Sequence, residues 1–252
     1  MSELIKDRSI VLRTYPYGET SAVAVVLTRS HGKVRLLAKG ARSSRSALQG
    51  SLRTGNISEI VFYFRPDRSL QLLKEMGAVE TFEAGSGDLE KLCLFQAGLE
   101  IIDRSVVDRS ADERAYDLIE RFTRMLGAAI DPWTLFYALE IEVLTLAGLF
   151  PSTAECARCR RPLAEAPFAV EAASGLVSCA PCRSARGRVL SPGASALVRR
   201  MAASGLEGAA GERMDRGVRR EIGELIHRLF VGHVDGYRLP HALRLCKEVN
   251  AQ

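Results

Sequence analysis

The chain has 252 residues, 47% of them hydrophobic and 26% charged, the balance of an ordinary soluble globular protein with room for two domains. Its formal charge of +5 is unevenly spread. Residues 1–80 hold 13 Lys/Arg against 7 Asp/Glu and the remainder 22 against 23, so an anionic partner is expected on the N-terminal third. The charged opening, with no apolar run after it, does not read as a signal peptide, and the strongest apolar run, residues 143–150, is too short to span a bilayer. Six cysteines, four of them clustered, do not form the pattern of a secreted disulfide framework. A reducing cytoplasm is the expected location.

Residues 9–15 and 20–28 read as strands joined by a turn at Pro16-Tyr17-Gly18-Glu19. His31-Gly32 makes a second turn into residues 32–40, where Val34, Leu36 and Ala38 alternate with Lys33, Arg35 and Leu37. That alternation places the first three in a core and Lys33, Arg35 and Lys39 on a face toward water. Residues 41–56, rich in Ser, Gly and Arg, read as a mobile loop. Strands follow at 57–65 and 70–75. Five short strands within about eighty residues suit a small closed barrel, and a five-stranded oligonucleotide-binding (OB) barrel is preferred over an SH3-like one.

The run 20–58 contains no Asp or Glu and seven basic side chains, Arg29, Lys33, Arg35, Lys39, Arg42, Arg45 and Arg53. A cationic strand face continued by a cationic loop suits a phosphate backbone. Lys33, Arg35, Lys39, Arg42 and Arg45 are the first candidates for DNA contact, with Arg13, Arg29 and Arg53 behind them. Tyr15 or Tyr17 can stack on bases.

Gly85-Ser86-Gly87 closes the barrel, and the pattern turns helical. Residues 88–107 place Leu92, Phe95, Leu99 and Ile102 on one face. A second helix, capped by Ser110, carries Tyr116, Ile119, Phe122 and Leu126. Asp131-Pro132 opens a third, spanning 133–149 and apolar enough to form the centre of a bundle. Glu140 and Glu142 on it read as solvated or ion-paired rather than as catalytic carboxylates. After the cysteines, Ser191-Pro192 opens another helix, and residues 214–231 carry Val218, Ile222, Leu225, Ile226 and Leu229 on one face. The tail from 235 is partly helical at best.

Cys156-x2-Cys159 and Cys179-x2-Cys182 are nineteen residues apart, the spacing of a structural zinc site in which each knuckle supplies two thiolates. Four sulfurs fill the coordination sphere and leave no position for an activated water, so the implied role is folding. Arginines 158, 160, 161, 183, 186 and 188 surround the tetrad, in part as neutralisation of its negative charge. A zinc deaminase would need His-x-Glu with Pro-Cys-x-x-Cys, which this sequence lacks. There is no P-loop and no Gly-x-Ser-x-Gly elbow. His31 reads as a turn residue, His227 and His233 as structural, Cys93 and Cys246 as packing residues. Arg199-Arg200 could extend a DNA track, though a solvated helix end is the preferred reading.

Tyr17-Gly18-Glu19-Thr20-Ser21, Leu27-Thr28, His31-Gly32-Lys33 and Ala38-Lys39-Gly40-Ala41-Arg42 resemble the bacterial RecO recombination-mediator family. Gly148-Leu149-Phe150-Pro151 before the first Cys-x2-Cys is similar to that family's entry to its zinc region. The resemblance spans nearly the whole chain, except that Leu239-Pro240-His241 stands where a Lys-Ser pair is expected. It implies an α+β protein: an OB barrel over 1–80, a helical domain over 86–150 and 191–252, and a four-cysteine zinc module inserted at 151–190. It further implies a non-enzymatic protein that binds single- and double-stranded DNA and anneals complementary strands. With RecR it would help load RecA onto strands coated by single-strand-binding protein. The cofactor would be one structural Zn2+, the location the bacterial cytoplasm and nucleoid, with no membrane partner. An RNA-binding barrel protein with a structural zinc is the alternative.

Overall fold

A computed structural model describes residues 2–46, 48, 50–82, 88–106, 112–171, 173–185 and 187–249. The Gly85–Gly87 closure, Val107, the Ser110 cap and Arg186 lie outside these residues, as does the side chain of Cys246. The chain divides into two compact units, residues 1–127 and 128–252. The first two helices therefore share a unit with the strands, whereas the sequence groups them with the later helices.

In the first unit, β1 (Glu3–Tyr17), β2 (Ser21–Thr28), β3 (Gly32–Ala38), β4 (Ile57–Phe64) and β5 (Leu70–Glu80) close a barrel in the order β1-β2-β3-β5-β4. This is an OB-type barrel, as expected. The long β1 serves two partners, pairing with β4 over Glu3–Ile10 and with β2 over Ser9–Tyr17. A bulge between Val11 and Arg13 lets it do so, and there Val11 and the extra residue Leu12 are both buried. β3 joins β5 in parallel at three positions, Arg35↔Leu70, Leu36↔Gln71 and Leu37↔Leu72. Inward-facing Val11, Ala24, Val26, Val34, Leu36, Ile60 and Phe62 fill the interior.

The segment 41–56 is anchored rather than loose. Leu52 is buried, Thr14 Oγ1 donates to its carbonyl at 2.7 Å, and Asn56 Nδ2 donates to the carbonyls of Gly50 and Ser51 at 3.1 and 2.9 Å. These bonds tie the described residues of the segment to one another and to β1. Gly55 donates its N–H to the Val11 carbonyl at 2.7 Å with φ +88°. A Cβ there would enter the Phe95 ring, so only glycine fits.

Phe95 stacks on Phe82 at 4.1 Å from α1 (Leu89–Ser105). This helix buries Cys93, Leu94, Phe95, Ala97, Leu99, Ile101 and Ile102, more than one face, while Leu92 is 45% exposed. Of the stripe expected from the sequence, Phe95, Leu99 and Ile102 are buried and Leu92 is not, and the buried surface is wider than that stripe. α2 (Glu113–Ala128) buries Tyr116, Ile119, Phe122 and Leu126 as anticipated.

The second unit is built on α3 (Pro132–Leu146), whose residues from Thr134 to Ile141 are all buried. It packs against α4 (Pro192–Ala209) and α5 (Arg216–His233). Asp131 and Ser191 cap α3 and α4 ahead of their N1 prolines. Asp215, not singled out in the sequence, caps α5 by accepting from Val218 N at 2.8 Å. The tail forms α6 (His241–Val249). Between α3 and α4 lies a small sheet of β6 (Phe168–Glu171), β7 (Leu176–Cys179) and β8 (Arg188–Val189), in the order β7-β6-β8.

Candidate metal centre and candidate nucleic-acid interface

The four cysteines meet through two local devices. In the first knuckle Arg160 N donates to the Cys156 carbonyl at 2.9 Å, with Arg160 left-handed at φ 59°. A Glu155↔Pro162 bridge closes its base. In the second, β7 ends at Cys179 and a single 3-10 turn, Ala180–Cys182, swings Cys182 back. Ala157 N donates to the Val177 carbonyl at 2.8 Å and ties the first knuckle to the hairpin.

All four Sγ atoms lie within 4.8 Å of one another, with Cys159 and Cys179 at 3.8 Å. A tetrahedron with metal–sulfur bonds of about 2.3 Å has edges of about 3.8 Å, so the spacing fits one ion and is far too long for a disulfide. Backbone N–H groups of Cys159 and Cys179 lower the Cys156 thiol to about 6. Sulfur neighbours, Cys179 foremost, push Cys182 up to about 12. Four thiolates so crowded need a cation to coexist at neutral pH. Cys156 and Cys179 are buried and Cys159 is exposed.

The arginines about the tetrad are partly committed. Arg160 pairs with Glu155 at 2.7 Å, and Arg188 with Glu224. Arg199 donates to the Ala166 carbonyl at 3.0 Å and lies over the Phe168 ring, while Arg200 pairs with Glu212 at 3.0 Å. Arg199 and Arg200 thus brace the second unit.

On the barrel the eight candidate cations separate into two groups. Lys33 does not face water. Its side chain is 10% exposed and its Nζ donates to the Asp103 carbonyl at 2.5 Å, with Asp103 Oδ1 at 3.4 Å. Arg13 meets the same carboxylate at 2.6 Å. Arg29 meets Asp117 at 3.2 Å and Glu113 at 3.9 Å. The acidic partners come from α1 and α2, some 70 to 90 residues away along the chain, so an acid-free run is still neutralised in part.

Arg35, Lys39, Arg42, Arg45 and Arg53 are exposed. Among the described residues no carboxylate pairs with Lys39, Arg42, Arg45 or Arg53. Arg42 also reaches the carbonyls of Gly18 and Glu19 at 3.1 and 3.3 Å, fixing the β1–β2 turn beside the cations. Tyr15 and Tyr17, at the end of β1, are 39% and 52% exposed. His31 is a turn residue as read, with Nδ1 2.6 Å from the buried Asp7 carboxylate. Glu140 departs from expectation. It is 4% exposed, and burial pushes its carboxyl up to about 8. Glu142 instead accepts the Leu206 N–H at 2.6 Å, at the point where Gly205 breaks α4.

Comparison with known proteins agrees with this architecture. Residues 1–82 match the family model described as Recombination protein O N terminal, and residues 86–242 that described as Recombination protein O C terminal. The chain is 31% identical over 237 residues to the DNA repair protein RecO of Anaeromyxobacter dehalogenans strain 2CP-C, covering 93% of each. It is also 31% identical over 189 residues to that of Moorella thermoacetica, covering 75% of this chain and 70% of the other. A closed barrel, a helical region and a four-cysteine cluster that could hold a metal thus occur in a protein of the DNA repair and recombination class. The chain belongs to the RecO family. No helix among the described residues is long and apolar enough to cross a membrane.

Proposed function

We propose that this chain is a non-enzymatic recombination mediator that binds single- and double-stranded DNA and promotes annealing of complementary strands. Together with RecR it would help load RecA onto DNA coated by single-strand-binding protein. The observation that carries the DNA-binding part is that Lys39, Arg42, Arg45 and Arg53 are exposed and paired with no carboxylate among the described residues, with Arg35 exposed on β3, while Arg13, Arg29 and Lys33 meet carboxylates of α1 and α2. Phosphates neutralised by these side chains release counterions, which gives affinity without sequence preference and lowers the repulsion between two strands. The partner proteins rest on the family resemblance, and the setting proposed is the bacterial cytoplasm and its nucleoid.

Four sulfurs within 4.8 Å of one another suit the tetrahedral coordination of Zn2+, and we assign one structural zinc to Cys156, Cys159, Cys179 and Cys182. One zinc per chain with no visible absorption is expected, since an iron–sulfur cluster would be coloured.

The test of DNA binding is fluorescence anisotropy of a labelled single-stranded oligonucleotide across a salt series. Five phosphate contacts predict that log K falls against log salt with a slope of about −3.5. Reversing Lys39, Arg42 and Arg45 to Glu should flatten it. A slope near zero for the unaltered chain would refute the electrostatic reading.

A further inference from the structure

On the outside of the barrel, opposite the core-facing residues, four apolar side chains stand in one row across four strands. The register places Leu37 of β3 against Leu72 of β5, Leu72 against Tyr63 of β4, and Tyr63 against Leu4 of β1. Each alternates with a buried neighbour, Leu36, Leu73, Phe62 and Ile5 respectively, so all four point outward. Tyr63 is 37% and Leu4 52% exposed, while Leu37 and Leu72 are half-buried. With neighbouring strands about 4.8 Å apart the row spans about 14 Å. A contiguous apolar strip on an otherwise polar surface marks a binding face.

Part of this row, from Leu37 to Tyr63, floors a groove of about 740 Å³, a volume within the range that encloses small molecules or parts of larger ones. Its walls carry Lys39, Arg65 and Arg68 against one carboxylate, Asp67. Lys39 lines the groove from just past the end of β3, two residues after Leu37, and Arg65 and Arg68 line it from the turn between β4 and β5. Arg65 is held by Asp67 at 2.9 Å. Lys39 and Arg68 are exposed, and among the described residues neither has a carboxylate partner at ion-pair distance. The turn carrying Arg65 and Arg68 is pinned by Gln71, whose Nε2 donates to their carbonyls at 2.9 and 2.6 Å. An aromatic ring between aliphatic side chains, with cations on either side, matches an unpaired base flanked by its phosphates. A base inside a duplex cannot present its face to such a floor, whereas its phosphates can still reach the cations.

We propose that this groove is a single-strand-specific base site, in which Tyr63 stacks on one unpaired base, Leu37 and Leu72 pack against it, and Lys39 and Arg68 take the adjoining phosphates. It rests on the reading of the barrel as DNA-binding and adds to it the element that tells a single strand from a duplex. Duplex and single strand share the cations, but only the single strand uses the row.

The experiment compares Tyr63→Ala, Tyr63→Phe and Arg68→Glu in the full chain, after circular dichroism confirms folding. Three probes are used: a single-stranded oligonucleotide, the same strand with several abasic sites, and a duplex. Tyr63→Ala should weaken the intact single strand about tenfold with an unchanged salt slope, because stacking and not phosphate contact is lost. It should leave the duplex unaffected and remove the advantage of intact over abasic strand. Tyr63→Phe should retain that advantage, and Arg68→Glu should weaken both single strand and duplex and flatten the salt slope. Undiminished single-strand binding by Tyr63→Ala overturns the site and leaves the row as a protein-docking surface. Equal losses on single strand and duplex overturn it too. Failure of the unaltered chain to bind any of the three probes would instead overturn the DNA-binding reading beneath it.

Discussion

Replacing Glu140 by Gln should change how stability depends on pH more than it changes the fold. Its carboxyl is buried on α3 and pushed up from 4.5 to about 8 by desolvation. Below about pH 4.5 the acid is protonated in folded and unfolded chains alike, and burial carries no ionisation penalty. Between the two values the unfolded chain ionises first, so the folded state loses about 1.4 kcal/mol per pH unit. For values of 4.5 and about 8 the accumulated penalty is about 3 kcal/mol at pH 7. From pH 5.5 to 8.5 it should grow by roughly 3 kcal/mol. A glutamine of nearly the same shape cannot ionise, so the difference between variant and parent should widen over that interval in the variant's favour. Urea unfolding followed through the single Trp133 reports on this unit, because that indole lies on α3 and lines one cavity together with Glu140. Taking the difference between the two chains cancels the pH dependence of the thiolate centre. A difference that stays constant within about 1 kcal/mol from pH 5.5 to 8.5 would show that Glu140 is not the buried acid described.

Three other outcomes follow from the geometry. Gly55→Ala should destabilise the first unit by about 3 kcal/mol, since a Cβ at φ +88° meets the Phe95 ring; a urea-measured loss below about 1 kcal/mol would contradict the packing. Lys33→Ala should lower stability by about 2 kcal/mol through loss of its contacts with Asp103, yet keep oligonucleotide affinity within about threefold. A large fall in affinity would return Lys33 to the DNA-contacting set. Cys156→Ser, or treatment with a strong chelator, should abolish metal retention, measured as zinc per chain, and make the remaining knuckle thiols reactive toward a thiol reagent. Unchanged thiol reactivity would count against a metal-held module.

Features governed by short-range spacing could be read from the chain. The alternation of Val34, Leu36 and Ala38, the Asp131-Pro132 and Ser191-Pro192 starts, and the paired knuckles are each encoded within a few residues, and each is present. What escaped depends on which distant segments meet. An acid-free run of sequence is not an acid-free surface, because Asp103, Glu113 and Asp117 reach Arg13, Lys33 and Arg29 from helices elsewhere in the chain. Likewise Tyr63 looks like one aromatic in a β-rich run until barrel closure sets Leu72 and Leu37 beside it. The burial of Glu140 also escaped: the pattern sets this helix at the centre of a bundle yet allows its carboxylates a solvated or ion-paired side, and from Thr134 to Ile141 no such side is left.

The parallel seam between β3 and β5 has a dynamic consequence. It is held by three residue pairs, where the other junctions of the barrel have six to eight among the described residues. Opening of the barrel should therefore begin there, with the amides around Leu70 and Leu72 exchanging with solvent ahead of those in β1 and β2. Leu37 and Leu72 lie on either side of this seam, so anything bound across them works as a clasp. Occupancy would then be felt as slower breathing of the barrel as well as slower dissociation of the strand, because each opening must first release what bridges it.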